Sequence, residues 1–180
     1  MTHTYKDNPR PFSPQQLAAI GMLSALALVL SFLESLIPFQ PGLPGIKLGL
    51  ANLVIVFALY RMNVHSALLI NTVRILLAGL LFSGLFGLLY SAAGAAASLA
   101  AMTLLLQINR KREQVGKSIL FSIFGVSMTG GVFHNLGQLL VAILFLSSLN
   151  LIYYLPVMII SGIVMGLING MIARLLLQKL

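Results

Sequence analysis

Long apolar stretches, separated by short polar or proline-containing breaks, dominate the pattern of this chain. A helix needs about 20 apolar residues to cross the hydrocarbon core of a bilayer. The second stretch is short, and a tilt, a start within the glycine-rich segment before it or a partly re-entrant path would each accommodate it. The pattern predicts an all-α polytopic membrane protein, with a polar tail over residues 1–15 and a single six-helix transmembrane domain over residues 16–180. The six predicted spans are Gln16–Ile37, Leu48–Tyr60, Val64–Phe82, Leu85–Leu106, Ser118–Leu146 and Leu155–Leu177.

The composition supports the same class of protein. Hydrophobic residues make up 59% of the chain and charged residues only 8%, whereas soluble domains carry about 25% charged residues. The mean hydropathy is +1.01. The absence of cysteine excludes disulfides and thiolate metal sites. The first apolar stretch is too long for a signal peptide and continues into the body, so we expect no cleavage there.

The formal net charge of +8 is distributed unevenly along the predicted topology. Lysine and arginine near the ends of spans favour the cytoplasmic side. With the N-terminus inside, the outer side keeps only Lys47, and Arg74 lies within a span. We therefore expect a cell-membrane protein with both termini cytoplasmic and no nucleic-acid partner. The basic residues on the inner side are Lys6, Arg10, Arg61, Arg110, Lys111, Arg112, Lys117, Arg174 and Lys179.

Arg74 is the residue whose position is most unusual, because it interrupts an otherwise apolar span. A guanidinium near the bilayer centre costs at least about 2.5–3.5 kcal/mol on translocon-insertion scales. Such a residue faces a protein interior and has a partner there. One interpretation is a substrate-binding site. The other is a structural ion pair with Glu34, the only acidic residue in the apolar body.

Other polar side chains fall at a similar depth on four of the predicted spans. Single amides are explained by hydrogen bonds between helices, and His134 by a buried core imidazole. Together they predict a pocket that opens to the outside under the proline-containing loop of residues 38–47. The pocket suits a ligand with an anionic or acceptor-rich head and an apolar body. The predicted substrate-binding residues are Arg74, Lys47, Glu34, Asn52, Asn71, His134, Asn135 and Gln138.

Small residues form a second pattern. Ala18, Gly21 and Ala25 lie on one side of the first span, and Gly21 and Ala25 have the small-xxx-small spacing of helix–helix contacts. The last span carries a stripe of glycines at positions 162, 166 and 170. Most of these residues are expected to serve internal packing. The stripe on the first span is alternatively a docking face for a partner membrane protein.

Several kinds of catalytic chemistry are excluded by what the chain lacks. Only three residues are acidic, and Asp7 is the single aspartate, whereas Mg²⁺-dependent diphosphate chemistry needs clustered carboxylates. The Gly116-Lys117-Ser118 run resembles the end of a P-loop, but the required earlier glycine is Lys111. We expect no catalytic residue, no metal site and no cofactor.

Three segments carry a family resemblance: Pro44-Gly-Ile-Lys-Leu-Gly-Leu-Ala-Asn-Leu-Val54, Asn71-x-x-Arg74 and Gly131-Val-Phe-His-Asn-Leu-Gly-Gln138. They resemble the membrane family known as heptaprenyl diphosphate synthase component I or Gx transporter. The chain is also similar to the substrate-binding S-components of energy-coupling factor (ECF) transporters. That likeness implies a six-helix bundle that binds a small molecule, with a transmembrane coupling subunit and two ATPases as partners. Docking would use Gly21 and Ala25, although an alanine pair is the commoner form.

These resemblances imply different functions. The main expectation is an S-component-like subunit of an energy-coupled uptake transporter, in which Arg74 and Lys47 hold the anionic end of the substrate. The alternative is a non-catalytic membrane accessory of heptaprenyl diphosphate or menaquinone biosynthesis. A stand-alone carrier for an isoprenoid or quinone precursor is a third possibility.

Overall fold

The computed structural model describes residues 12–36 and 49–179, and this part of the chain is helical without a strand. The predicted all-α class is confirmed for these residues. Gly79–Ser83 forms a π-helical turn and Leu149–Tyr154 a 3₁₀ helix. The α-helices are α1 Pro14–Leu36, α2 Asn52–Arg61, α3 Val64–Ala78, α4 Gly84–Gln114, α5 Ile123–Leu146 and α6 Leu155–Lys179.

Four helical segments are long and apolar enough to cross a membrane: Pro14–Leu36, Val64–Gln114, Ile123–Leu146 and Leu149–Lys179. This supports a membrane protein, whereas the predicted count of six spans exceeds it. The shortfall lies partly in α2, whose 10 residues are half of what a crossing requires. Six crossings therefore stay a prediction.

The long segment Val64–Gln114 reverses direction at Gly84. The φ of Gly84 is +66°, a left-handed conformation that glycine adopts without a steric penalty. A Cβ added to Gly79 would lie 2.6 Å from Cδ1 of Leu88, although nine residues of straight helix would separate the two positions by about 13 Å. The segments α3 and α4 are therefore two antiparallel helices of one hairpin.

Helix α2 begins in the middle of the bundle. Asn52, its first residue, donates a hydrogen bond of 3.0 Å to Ser98 Oγ, near the middle of α4. Irregular backbone at membrane depth is tolerated only where it is buried in protein or lines a cavity, and residues 49–52 meet that condition inside the bundle.

Glycines allow α5 to pack closely against both of its neighbours. A Cβ on Gly130 would meet the Met102 side chain of α4, and one on Gly131 would collide with the carbonyl oxygen of Gly162 on α6. Across the same contact, the Ser127 hydroxyl donates a 2.6 Å hydrogen bond to the carbonyl of Gly166. The glycine stripe of α6 therefore packs internally, as predicted.

The connection between α4 and α5 is tightly built. Gly116, with φ +71°, follows the end of α4, and two backbone bonds close a Schellman motif: Lys117 N–H to Arg112 O and Gly116 N–H to Glu113 O. The side-chain amide of Asn109 holds the far end of the loop through three hydrogen bonds of 2.7–2.9 Å to backbone groups of Leu120 and Phe121. The sequence run that resembled a P-loop is a helix cap.

We expect Asn109→Ala to loosen this loop without unfolding the bundle. Three partly buried hydrogen bonds at about 0.5–1.5 kcal/mol each are lost, so the loop should open locally far more often. Trypsin cleavage after Lys117 in detergent-solubilised protein measures that opening. Gln107→Ala, at an exposed position of the same helix, is the control. Equal cleavage rates for both variants would contradict the role of Asn109.

Candidate functional site

Arg74 lies inside the bundle, where its guanidinium is held by α1 and α3. The residue is 5% exposed. Its Nε and Nη2 atoms donate to Asn71 Oδ1 at 3.2 and 2.5 Å, and Nη1 donates to Ser31 Oγ at 3.1 Å. Asn71 precedes Arg74 by three residues and so lies on the same face of α3. Two of the five guanidinium N–H groups have no acceptor among the described residues.

Glu34 lies one turn beyond Ser31 on α1 and stabilises the charge of Arg74 electrostatically. The carboxylate is 5% exposed and accepts hydrogen bonds from the backbone N–H groups of Gly49 and Leu50. These two amides lie in the turn just before Ala51, the residue that precedes α2. A carboxylate at a helix start is favoured by the partial positive charge there, and Glu34 thereby ties the entry of α2 to α1.

Gly49 is the point where the polar groups of several helices meet. Its φ is +89°, and its carbonyl oxygen accepts a 3.0 Å hydrogen bond from Asn169 of α6. A Cβ on Gly49 would lie 3.5 Å from His134 Cδ2 and 4.0 Å from the Cβ of Asn52. Gly49 together with Glu34, Asn52, His134 and Asn169 is called the Gly49 cluster below. It joins α1, α2, α5 and α6 through one loop residue.

His134 and Gln138 form a pair on one face of α5. Their Nε2 atoms are 2.9 Å apart, and because an amide nitrogen only donates, the histidine nitrogen accepts. Both side chains are buried. Gly94 of α4 leaves the space above them, since a Cβ there would lie 3.0 Å from His134 Cε1 and from Gln138 Cγ.

Asn135 is directed to a different place from its neighbour His134. Its Nδ2 donates to the carbonyl of Met158 at 2.8 Å and to Ser161 Oγ at 2.9 Å, both near the start of α6. These bonds hold α5 to α6 and do not join Asn135 to the Gly49 cluster. Successive helical residues point about 100° apart, which is why two adjacent polar residues serve different contacts.

The structure therefore brings most of the predicted residues together in two groups, and Asn135 belongs to neither. Arg74 and Asn71 form one group, linked to Glu34 through α1, and Glu34, Asn52 and His134 surround Gly49. Lys47 and the loop predicted to cover the pocket lie outside the described residues. Sequence reasoning missed four residues that complete these contacts. They are Ser31, Gly49, Ser98 and Asn169.

Of these four residues, only Asn169 could have been predicted from the sequence. Asn169 is an amide within the last apolar span and belonged with the other intramembrane amides. Gly49 lies within a segment that carried the family resemblance, but nothing in its neighbours reveals its positive φ. Serines 31 and 98 are common in membrane helices, and only their partners, Arg74 and Asn52, distinguish them.

A cleft of about 240 Å³ lies between α3 and α4, next to Asn71. Small and aliphatic side chains form most of its walls, and the exposed Leu68 and Leu76 stand at its margin. Asn71 and Thr72 are its polar members. The lining residues are Leu68, Asn71, Thr72, Ile75, Leu76, Leu88, Ala92, Ala95, Ala96 and Leu99.

The chemistry available here is binding through hydrogen bonds and one cation. In the described ranges 12–36 and 49–179, no three histidine or acidic side chains converge as metal ligands would. A buried guanidinium with free donors, beside an amide and a hydroxyl, suits an anionic or oxygen-rich group. An apolar cleft adjoins it.

The predicted docking residues of α1 face away from the bundle. Ala18, Gly21 and Ala25 are all exposed, and a Cβ on Gly21 would have no neighbour within 4 Å. The buried side of the helix is formed instead by residues such as Ile20, Ala27 and Ser31. This face is therefore not used for packing within the described chain.

Comparison with known proteins identifies one family. A family model described as heptaprenyl diphosphate synthase component I matches residues 23–176, which contain every helix from α2 to α5 and most of α1 and α6. No curated protein matches the chain, and no solved structure matches it.

Proposed function

The chain belongs to the heptaprenyl diphosphate synthase component I family, and on this basis we propose that it is a membrane-embedded, non-catalytic accessory of a prenyl diphosphate synthase. The predicted family is thereby confirmed, whereas the match does not extend to S-components. The observation that carries the proposal is the family match combined with the acid-poor sequence. Three carboxylates in 180 residues are too few for the clustered acidic sites that Mg²⁺–diphosphate chemistry uses, so a partner must supply the chemistry.

Within such an assembly, the site around Arg74 would bind the diphosphate end of a prenyl diphosphate. Arg74 offers two uncommitted N–H groups, and Ser31 and Asn71 orient the guanidinium. Glu34 accepts hydrogen bonds from the amides of Gly49 and Leu50 and also stabilises the charge of Arg74 electrostatically. Charge-assisted hydrogen bonds to phosphate are roughly twice as strong as hydrogen bonds between neutral groups.

The loop between α4 and α5 would face the soluble catalytic partner. The positive-inside rule supports a cytoplasmic position for it, since Lys111 in the last turn of α4 and Lys117 in the loop are both exposed. Val115 and Ile119, also in this loop, are 69% and 55% exposed. This loop exposes apolar side chains flanked by lysines, and Asn109 holds it in place. Such a surface suits a partner with an apolar patch and an acidic rim.

The test is reconstitution with purified components. The protein in lipid nanodiscs is combined with the soluble prenyl synthase encoded by the same cell, and product chain length and rate are measured with and without it. An accessory raises the rate or changes the chain length. No effect, together with no association between the two proteins, would sink the proposal.

Arg74→Ala is expected to abolish prenyl diphosphate binding while the protein still inserts into the membrane. Among the described residues of the proposed head site, Arg74 is the one cation that attracts an anion, and the variant loses it. Equilibrium binding of farnesyl diphosphate to the folded, nanodisc-embedded protein measures the loss, which should exceed about 100-fold if a charge-assisted contact worth about 3 kcal/mol disappears. Arg61→Ala, at the exposed end of α2, is the control. Unchanged binding in Arg74→Ala would refute the head site.

The exposed small-residue face of α1 supports a second candidate, the S-component-like subunit of an uptake transporter. Ala18, Gly21 and Ala25 would then dock a transmembrane coupling subunit that works with two ATPases. Mild-detergent purification of the tagged protein from its own cell membrane separates the candidates. Recovery of a coupling subunit with ATPases would favour transport, and recovery of a soluble prenyl synthase would favour the accessory.

A further inference from the structure

The cleft between α3 and α4 has the form of a groove that opens sideways from the bundle. Its walls come from two antiparallel helices, with Leu68 and Leu76 on α3 and Leu88 and Leu99 on α4. Ala92, Ala95 and Ala96 form the α4 wall, and their small side chains are what leave the space open. Leu68 and Leu76 are 53% and 50% exposed, so in a bilayer the groove borders the lipid chains.

Asn71 gives this apolar groove a polar wall. The residue is only 4% exposed, and its Oδ1 is taken by two donors of Arg74. That geometry directs its amide nitrogen away from Arg74, and Nδ2 donates no hydrogen bond to any described residue. A ligand oxygen in the groove would give this amide nitrogen an acceptor.

We propose that the α3–α4 groove holds the hydrocarbon chain of an isoprenoid whose oxygen-bearing head reaches Asn71 and, behind it, Arg74. The inference rests on the proposed function and adds to it the path by which a lipid-soluble ligand enters, sideways from the bilayer. Pockets that enclose a whole drug-sized molecule measure about 300–1,000 Å³. At about 240 Å³, the groove takes one segment of a chain and leaves the remainder among the lipids.

The groove is too small to admit a protein helix, and we therefore assign it to a hydrocarbon chain. Interacting helices need about 8–10 Å between their axes, and a space of this volume between two packed helices does not admit a third. Isoprenoid chains and phospholipid acyl chains share the chemistry that such walls accept. The two sources differ in the head that Asn71 and Arg74 would hold, and a binding experiment separates them.

The experiment fills the groove and compares two ligands. Ala92→Phe, and as a second variant Ala96→Phe, place an aromatic ring in it at positions that are partly or fully exposed, so both should fold. Binding of farnesyl diphosphate and of inorganic diphosphate is measured in nanodiscs. Partition of the farnesyl chain into the bilayer is equal for all variants, so differences between them report on the groove.

We expect both variants to bind farnesyl diphosphate at least roughly tenfold more weakly than the wild type, a difference of about 1.4 kcal/mol, and inorganic diphosphate equally well. Leu104→Phe, at an exposed site of α4 outside the groove, should match the wild type. If the groove takes any acyl chain, excess phospholipid already fills it, and unchanged farnesyl diphosphate binding in both variants overturns the inference while the head site stands. If the wild type binds neither ligand, the head site of the proposed function fails and the inference fails with it.

Discussion

Replacing Arg74 by methionine should destabilise the folded protein by about 3–5 kcal/mol, and replacing Glu34 by glutamine in the same chain should restore most of that loss. Removing one member of a buried charged pair leaves the other charge without compensation, and that accounts for the size of the effect. Arg74 also anchors Ser31 on α1 and Asn71 on α3. The double variant removes both charges and keeps an amide that can accept from Gly49 and Leu50.

Unfolding in mixed micelles with increasing denaturing detergent gives the free energies for the four proteins of this double-mutant cycle. Gln107→Ala, remote from the site on α4, tests for non-specific effects of substitution. A coupling between the two positions near zero would mean that Glu34 serves only the start of α2. A strong coupling combined with lost ligand binding in the double variant would give Arg74 both a structural and a binding role.

Gly131→Ala is expected to destabilise the protein severely, because the added methyl group would collide with the backbone of α6. The carbonyl oxygen of Gly162 is the atom it meets. Backbone atoms cannot rotate away as a side chain does, so the two helices must separate along their whole contact. Overpacking of this kind costs about 1–3 kcal/mol or more, and the larger Gly131→Leu should yield no folded protein.

The matched control for this prediction is Gly21→Ala on α1. Nothing lies within 4 Å of a Cβ at Gly21, and alanine favours a helix over glycine by up to about 1 kcal/mol. The isolated protein should therefore be as stable as the wild type or slightly more so. Thermal unfolding followed by the folded fraction on size-exclusion chromatography compares the two. Equal losses in both variants would show that the α5–α6 contact is not the cause.

Most element boundaries could be predicted from the sequence, because they depend on local composition. The starts of α3 at Val64 and of α6 at Leu155 agree with the predicted spans. The long apolar segment was divided between Phe82 and Leu85, and the chain reverses at Gly84, between them. The predicted start of α5 was five residues too early, since Asn109 holds residues 120 and 121 in the loop through contacts that no local pattern reveals.

The membership of the site could be predicted only in part. Arg74, Asn71 and Glu34 were recognisable because ionisable and amide groups are costly in an apolar span. Their arrangement depends on contacts between distant parts of the chain, such as Asn52 with Ser98 and Asn169 with Gly49, which are 46 and 120 residues apart. The adjacent residues His134 and Asn135 looked equivalent in the sequence, and the rotation of the helix directs them to different partners.

The sequence by itself determined that this protein lies in a membrane, because an apolar chain with few charges is compatible only with a bilayer. It also determined the helical class, because the backbone must satisfy its own hydrogen bonds there. It also showed that acidic side chains are few, since the chain contains three of them. Only the tertiary structure decided where α2 begins, which face of α1 stays uncovered and that Asn71 lines a groove between α3 and α4. These features depend on helix rotation and depth, and both are set by packing against partners far away in the chain.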